Sequence, residues 1–494
     1  MKSSISIPTC FFSACVCFCL CLLSSHGQYL APNVSSCHLP LNLPSAENPF
    51  DCCAPLPSSA DLPLFRPNSS SSSSSSSSTT TKLKVRRPAH LANETYAKKL
   101  ALGYSLMKAL PDDDPRSFRQ QANIHCAYCN TVYNQQLSDQ PFQVHGSWLF
   151  FPFHRWYLYF HERILASLLG DPDFALPFWN YDNPEAAAMP WFYVNYSHVL
   201  NDSRRDPDHL PPTLAAIDFN INCEARSPEI QARENSAFMY RAMIRDPTTQ
   251  AAFFGAAYRR GDLPMPGYGS VEQYPHNTIH VWSGTSTEVG GKDMGSLYAA
   301  ARDPIFYAHH AQLDRLWEVW KSFGNSDMTE EEDFLDSEFA FYNEEAEMVR
   351  VKVRDSFSTE ALGYVYEEVS IPWLDASPVR LSNGVADIGQ AAEVCRMGEE
   401  IWAPCSVQVK RDPALAAATG EENLILGGFR FVEGSAPTLN VFVNLPGANT
   451  STTSGSHEFV GPVMVVPQFA EGMSSTNRTF ALAGRIRDLN LTAQ

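Results

Sequence analysis

The chain has 494 residues, long enough for two domains, and 44% of them are apolar, enough to bury a large core. Its 36 basic and 54 acidic residues leave a formal charge of −18, which repels phosphate backbones and excludes nucleic acid as a partner. Beyond the first 27 residues no stretch is apolar enough to span a bilayer, so no membrane span is expected.

Residues 1–27 read as a secretory signal: Lys2, the apolar run CFFSACVCFCLCLL, then small residues at Ser25 and Gly27. A plastid transit peptide is the competing reading, disfavoured because such segments are Arg-rich and the first arginine here is Arg66. Five of the 13 cysteines leave with the signal; Cys37, Cys52, Cys53, Cys126, Cys129, Cys223, Cys395 and Cys405 remain, and in an oxidising route most should be bonded. Eight N-x-[ST] acceptors, Asn33, Asn93 and Asn449 among them, fit a glycoprotein of the same route, destined for the extracellular space or the vacuole.

Residues 28–86 form a Cys- and Pro-rich arm that runs into ten serines, Ser69 to Ser78, and three threonines, a solvated linker with nothing to bury. From residue 87 to 374 the chain is globular. YAKKLALGYSLMKAL and FHRWYLYFHERILASLL have helical periodicity, the first stopped by Pro111 and the second by Gly170 and Pro172. YPHNTIHVW supplies a third helix and DPIFYAHHAQLDRLWEVW a fourth, with Asp303 as cap and Pro304 at the first helical position. This half is mainly α, a four-helix bundle with long loops. MVRVKVRD and YVYEEVSIPW then alternate with period two, as strands do. Residues 375–392 read as a linker with a possible processing site. Residues 393–494 contain the strand candidates SVQVKR, NLILGGFRFV, TLNVFVNL, PVMVVPQF and FALAGRI, which suggest a small all-β, sandwich-like C-terminal domain, read as truncated.

Eight of the 14 histidines fall in two clusters: His125, His145, His154 and His161, then His276, His280, His309 and His310. A lone buried histidine is most often a hydrogen-bonded core residue, but several set among aromatics with few acids call for a metal. The i, i+4 spacing of His276 and His280 puts both rings on one helix face. Imidazoles without thiolate or carboxylate partners favour copper over calcium, magnesium or a zinc–thiolate site.

FRQQANIHCAYCN, QVHGSWLFFPFHRWYLYFHERIL, YPHNTIHVWSG and DMGSLYAAARDPIFYAHHAQLDRLW resemble the copper-binding motifs of plant polyphenol oxidases, the tyrosinase and catechol oxidase group of type-3 copper proteins. The resemblance extends over nearly everything from Cys37 onward. It implies two copper ions, one on His125, His145 and His154 and one on His276, His280 and His310, with His309 a buried neighbour. It also implies dioxygen as co-substrate, oxidation of o-diphenols to o-quinones, and ortho-hydroxylation of monophenols. The same family pattern pairs Cys37 with Cys53 and Cys52 with Cys126, and links Cys129 to His145 by a thioether. It makes the C-terminal domain a shield that keeps the enzyme latent until a protease cuts the linker.

Glu272 and Asn277 match an acid and an amide that in relatives hold a water acting as base toward monophenols. Asp314, one turn beyond His310, is placed to support the site as a carboxylate behind the ligands. Val281 should leave the pocket mouth open. Leu297 stands where relatives carry a gating Phe, so a flavonoid or lignan is a possible substrate beside simple phenols. His161 needs partners for its ring nitrogens, from residues behind the ligands or from solvent. The competing reading is a hemocyanin-like dioxygen-binding or inert copper glycoprotein, without phenol turnover.

Overall fold

Helical periodicity and capping residues place the elements that carry the histidines. The computed structural model describes residues 29–40, 51–57, 61–67, 82–218, 226–285, 287, 291–384, 406–408, 423–432, 438–449, 451–464 and 473–491. The signal segment, the serine tract, residues 385–392 of the linker, Cys223, Cys395 and Cys405 lie outside the described residues.

Helix α1 (Glu94–Ala109) starts at Asn93, whose side chain accepts the Tyr96 N–H at 2.9 Å. Ser117 caps α2 (Phe118–Cys129) in the same way through Gln120 N–H, at 3.2 Å. Helix α3 (Phe150–Leu169) is buried on nearly every face and ends at Gly170 in the left-handed conformation, φ +61°. Both α1 and the helix Ile305–Ser322 lie against it. At Gly103 of α1 a Cβ would meet Leu165 and Leu169 at 3.2 Å, so a glycine lets the two helices close. Helix α4 (Pro228–Tyr240) follows Ser227.

The predicted helix over YPHNTIHVW is only partly formed. Helix α5 is Asn277–Ser283, and Glu272–His276 before it is a wider turn in which Tyr274 is extended, φ −161°. Pro275 accounts for this, since its ring disfavours helical geometry at the preceding residue and it has no N–H to donate. Helix α6 (Ile305–Ser322) begins one residue later than expected, and Asp303 Oδ1 accepts the Ile305 N–H at 2.9 Å.

Strands β1 (Lys84–Arg86) and β4 (Tyr364–Tyr366) pair in parallel and set Arg86 opposite Tyr366. Strands β2 (Glu338–Tyr342) and β3 (Met348–Lys352) form an antiparallel pair. Both expected strands here are shorter than predicted: Val353–Ser356 is a 3₁₀ turn, and the pairing of YVYEEVSIPW ends at Tyr366.

Among the described residues the C-terminal region has two antiparallel pairs, β5 (Asn423–Val432) with β8 (Met473–Ala481) and β6 (Thr438–Phe442) with β7 (Phe459–Met464). FALAGRI is not one strand. β8 stops at Ala481 and a short helix, α7 (Ala483–Asp488), follows, because Arg485 turns inward to donate to the carbonyls of Phe459 (3.0 Å) and Val460 (2.7 Å). Attachment of this region also begins earlier than residue 393: Val379 bridges Ser456, and the Glu458 carboxylate accepts the N–H groups of Leu381 and Ser382. Phe238, Tyr274, Phe459 and Met464 form a shared apolar seam with the helical part, with Val281 and Phe442 against it. Arg241 and Gln273 extend the seam by donating to Phe459 O and Pro462 O, both at 2.9 Å. No helix among the described residues is long and apolar enough to cross a membrane.

Candidate metal centre

Two groups of buried donors face each other between α2, α3, α5 and α6. His125, Cys129, His145 and His154 form one, and His276, His280, His309 and His310 the other; within each, the donor atoms lie within 4.8 Å of one another. Across the groups the rings of His154 and His310 stack at 4.1 Å, and those of His145 and His276 lie 5.3 Å apart. The eight residues thus form one centre with two halves.

Four of the rings are oriented by their Nδ1–H groups. His125 donates to Leu297 O, His154 to Phe150 O and His280 to Met294 O, each at 2.8 Å, while His276 donates to Asn277 Oδ1 at 2.9 Å. The Nε2 atoms of His125, His154 and His276, and both ring nitrogens of His145, are buried with no hydrogen-bond partner. His280 Nε2 and His310 Nε2 face each other at 3.3 Å. Unpaired buried nitrogens of this kind are costly unless a metal takes their lone pairs. Burial first, then repulsion from the other imidazoles, holds the rings neutral: His145, His276 and His310 fall well below the ordinary histidine range, and burial takes His154 to about 3 and His280 to about 4. Neutral imidazoles whose Nδ1 is tied to a carbonyl present Nε2 to a metal, and a donor set of this softness suits copper.

The residues around the centre depart from several expectations. Asp314 touches no ligand ring. It accepts from Arg155 Nε (2.5 Å), Arg86 Nη1 (3.3 Å) and the hydroxyls of Tyr364 and Tyr366 (both 2.6 Å). Burial pushes its carboxyl up, but the two guanidinium groups outweigh that and hold it below the ordinary range. An acid one turn from His310 was legible; that two buried arginines claim it was not. His161 is neither a ligand nor solvated: Nδ1–H donates to Gln121 Oε1 and Nε2 accepts from Tyr104 OH, both at 3.2 Å, and the ring stacks on Tyr307 at 3.6 Å. Leu297 is buried, and its carbonyl on His125 is the contact that bears on the centre. Val281 is partly buried and packs against the seam that holds Phe459 and Met464. Asn277 spends its side-chain oxygen on His276, whereas Glu272 accepts the Gly146 N–H at 2.7 Å. Cys129 is a free, buried thiol, and the structure joins Cys37 to Cys53 and Cys52 to Cys126.

Residues 115–322 match the common central domain of tyrosinase, and residues 327–379 the polyphenol oxidase middle domain. Polyphenol oxidase of Malus domestica is 41% identical over 464 residues, covering 88% of this chain and 75% of the relative. The chain belongs to the plant polyphenol oxidases. Its activity class is the copper-dependent oxidation of o-diphenols, and the two donor groups fit the family's copper pair. Aureusidin synthase of Antirrhinum majus is 46% identical, over 72% of this chain and 62% of its own length; (+)-larreatricin hydroxylase of Larrea tridentata is also 46% identical, over 60% of this chain and 49% of its own. Latent apple tyrosinase superposes with a TM-score of 0.77 at 39% identity, covering 87% of this chain and 94% of that one.

The Malus and Larrea relatives, with several others, are named chloroplastic, and this overturns the secretory assignment in favour of the plastid. The disulfides and sequons that suggested a secretory route are equally compatible with the plastid. Disulfides mark an oxidising environment without saying which one. Asn33, Asn93 and Asn449 use their side-chain oxygens to accept nearby backbone N–H groups, at 3.2, 2.9 and 2.9 Å, so their sequons double as ordinary turn and cap chemistry.

Proposed function

We propose that this protein oxidises o-diphenols to o-quinones with dioxygen, ortho-hydroxylates monophenols, and is held latent by its C-terminal region. The observation that carries the reading is the set of buried, neutral imidazoles whose unpaired nitrogens converge in two adjoining groups. His125, His145 and His154 would hold one copper ion, and His276, His280 and His310 the other. His310 is preferred to His309 because its Nε2 meets His280 Nε2 and its ring stacks on His154, which sets it between the two groups. Bound copper supplies reversible one-electron chemistry and activates dioxygen. A thioether between Cys129 and His145 would lock the one ring in its group that lacks a hydrogen bond at either nitrogen.

The chain's own residues then position the phenol and move its proton. Glu272 is buried and anchored through Gly146, and Asn277, with its oxygen committed to His276, has its amide N–H₂ left to donate. Between them a water would accept the proton of a monophenol. Catechols, more readily deprotonated, need this less. Leu297 offers no aromatic face, and relatives named for aureusidin and larreatricin support a polyphenol larger than catechol. Latency is supported by the seam over Val281, which a protease acting on the linker would release.

The test is dioxygen uptake by the copper-loaded, protease-treated protein on a matched monophenol and catechol, with His310→Ala as control. Uptake on both, abolished in the variant, is expected. Uptake on catechol alone removes the hydroxylase claim; none on either, with copper bound, leaves a dioxygen-binding protein.

A further inference from the structure

One short segment fixes a ring in each half of the copper pair. Met294 O accepts the Nδ1–H of His280 and Leu297 O that of His125, both at 2.8 Å. Those carbonyls set the tautomer and aim of one imidazole on either side, so the placement of residues 291–297 sets both.

A close backbone approach and an ion pair hold that segment. Behind it, Gly284 at the end of α5 comes so close that a Cβ would lie 2.0 Å from Gly291 O and 2.5 Å from Gly295 N. In front of it, Arg204 Nη1 donates to Asp293 Oδ1 at 2.8 Å. Arg204 is itself well anchored. Its carbonyl accepts the Thr285 N–H at 3.1 Å, and Asp206 N–H donates to Ser283 O at 3.2 Å, which pairs this stretch with the end of α5. The next residue, Arg205, forks onto Asp303 at 2.7 and 2.6 Å, at the foot of α6 and its histidines. The ion pair therefore connects a stretch fixed to α5 and α6 with the segment that orients His125 and His280.

Resting on the reading of the two groups as a copper pair, we infer that Arg204 and Asp293 are positioning residues for both copper ions, a clamp whose loosening weakens the two together. Neither residue touches a ligand ring. The Arg204 side chain is 45% exposed, so replacing it should disturb folding little.

The experiment follows copper per chain with time in excess EDTA for the full, copper-loaded protein, Arg204→Met, Arg204→Lys and, as control, Arg354→Met, which breaks a distant surface ion pair. Thermal midpoints of the copper-free proteins are measured alongside. Both ions should leave Arg204→Met in step, about tenfold faster than from the parent. Arg204→Lys should recover most of the difference, Arg354→Met should match the parent, and the copper-free midpoints should coincide. Parent-like loss, acceleration of one ion alone, or a lowered copper-free midpoint in Arg204→Met would overturn the inference. A parent that takes up no copper would overturn the reading beneath it, and the inference with it.

Discussion

Glu272 Oε1 accepts the backbone N–H of Gly146 at 2.7 Å, tying the residue after His145 to the turn that ends at His276. The carboxylate assigned to the phenol proton is thus also a strut between the two halves of the centre. Glu272→Gln keeps an oxygen for Gly146 and removes the charge. Monophenol kcat should fall about a hundredfold, the lower end of what general-base catalysis contributes, while catechol turnover and copper content stay near the parent's. Steady-state rates on the matched pair check this; an equal fall on both substrates would assign Glu272 to structure alone.

Asp314 is the shared acceptor of two buried arginines and two tyrosines, and it holds β1, β4, α3 and α6 together. Removing one partner of such a network leaves guanidinium charge buried and undercompensated. Asp314→Asn should cost about 3–5 kcal/mol in denaturant unfolding, with copper per folded chain unchanged. Loss of copper at unaltered stability would return Asp314 to the role its position after His310 suggests.

Cys129 is buried, and burial raises its thiol well above the ordinary range, so alkylating reagents should not reach a thiolate in the folded protein. Its sulfur lies within 4.8 Å of a His145 ring nitrogen. Peptide mapping of the copper-loaded protein should find the Cys129 and His145 peptides joined, two hydrogens lighter than their sum and stable to reductant. Separate peptides with an alkylatable Cys129 after unfolding would exclude the thioether.

Donor residues were legible in the sequence because chemistry selects their type: histidines among aromatics, a cysteine near them, an acid before His276. What orients them was not, since Met294, Leu297 and Phe150 act through carbonyls that every residue possesses. The i, i+4 spacing of His276 and His280 suggested one helix, yet Pro275 places His276 at its edge. His161 sits one heptad from His154, and the sequence left its partners open between residues behind the ligands and solvent; they are Tyr104, Gln121 and Tyr307. In FALAGRI, alternation hid Arg485, whose buried guanidinium needs the carbonyls of β7 more than the strand needs its length.

His457 lies where the C-terminal strands meet the helical part, and its surroundings give latency a pH dependence. Arg241, Arg245 and Asp246 face this seam from the end of α4 and beyond, Glu458 adjoins His457, and Arg485 and Asp488 come from α7. Asp488 is 3.7 Å from His457 Nδ1 and also takes the Arg245 guanidinium at 2.5 Å. Burial first, then Arg245 and Arg241, lowers the His457 pKa, more than Asp488 and Glu458 raise it. A released domain frees the ring from Arg241 and Arg245 and brings it back toward its ordinary value of about 6.5. The released form therefore binds the proton more readily, docking is fully favoured above about pH 6.5, and that contribution is lost as pH falls below it. Incubation of the latent protein at about pH 7, 6 and 5, followed by catechol assay at one common pH, should show activity rising toward acid. His457→Gln should flatten the rise without altering the protease-treated enzyme. The same rise in the variant would move the acid response to the carboxylates of the seam.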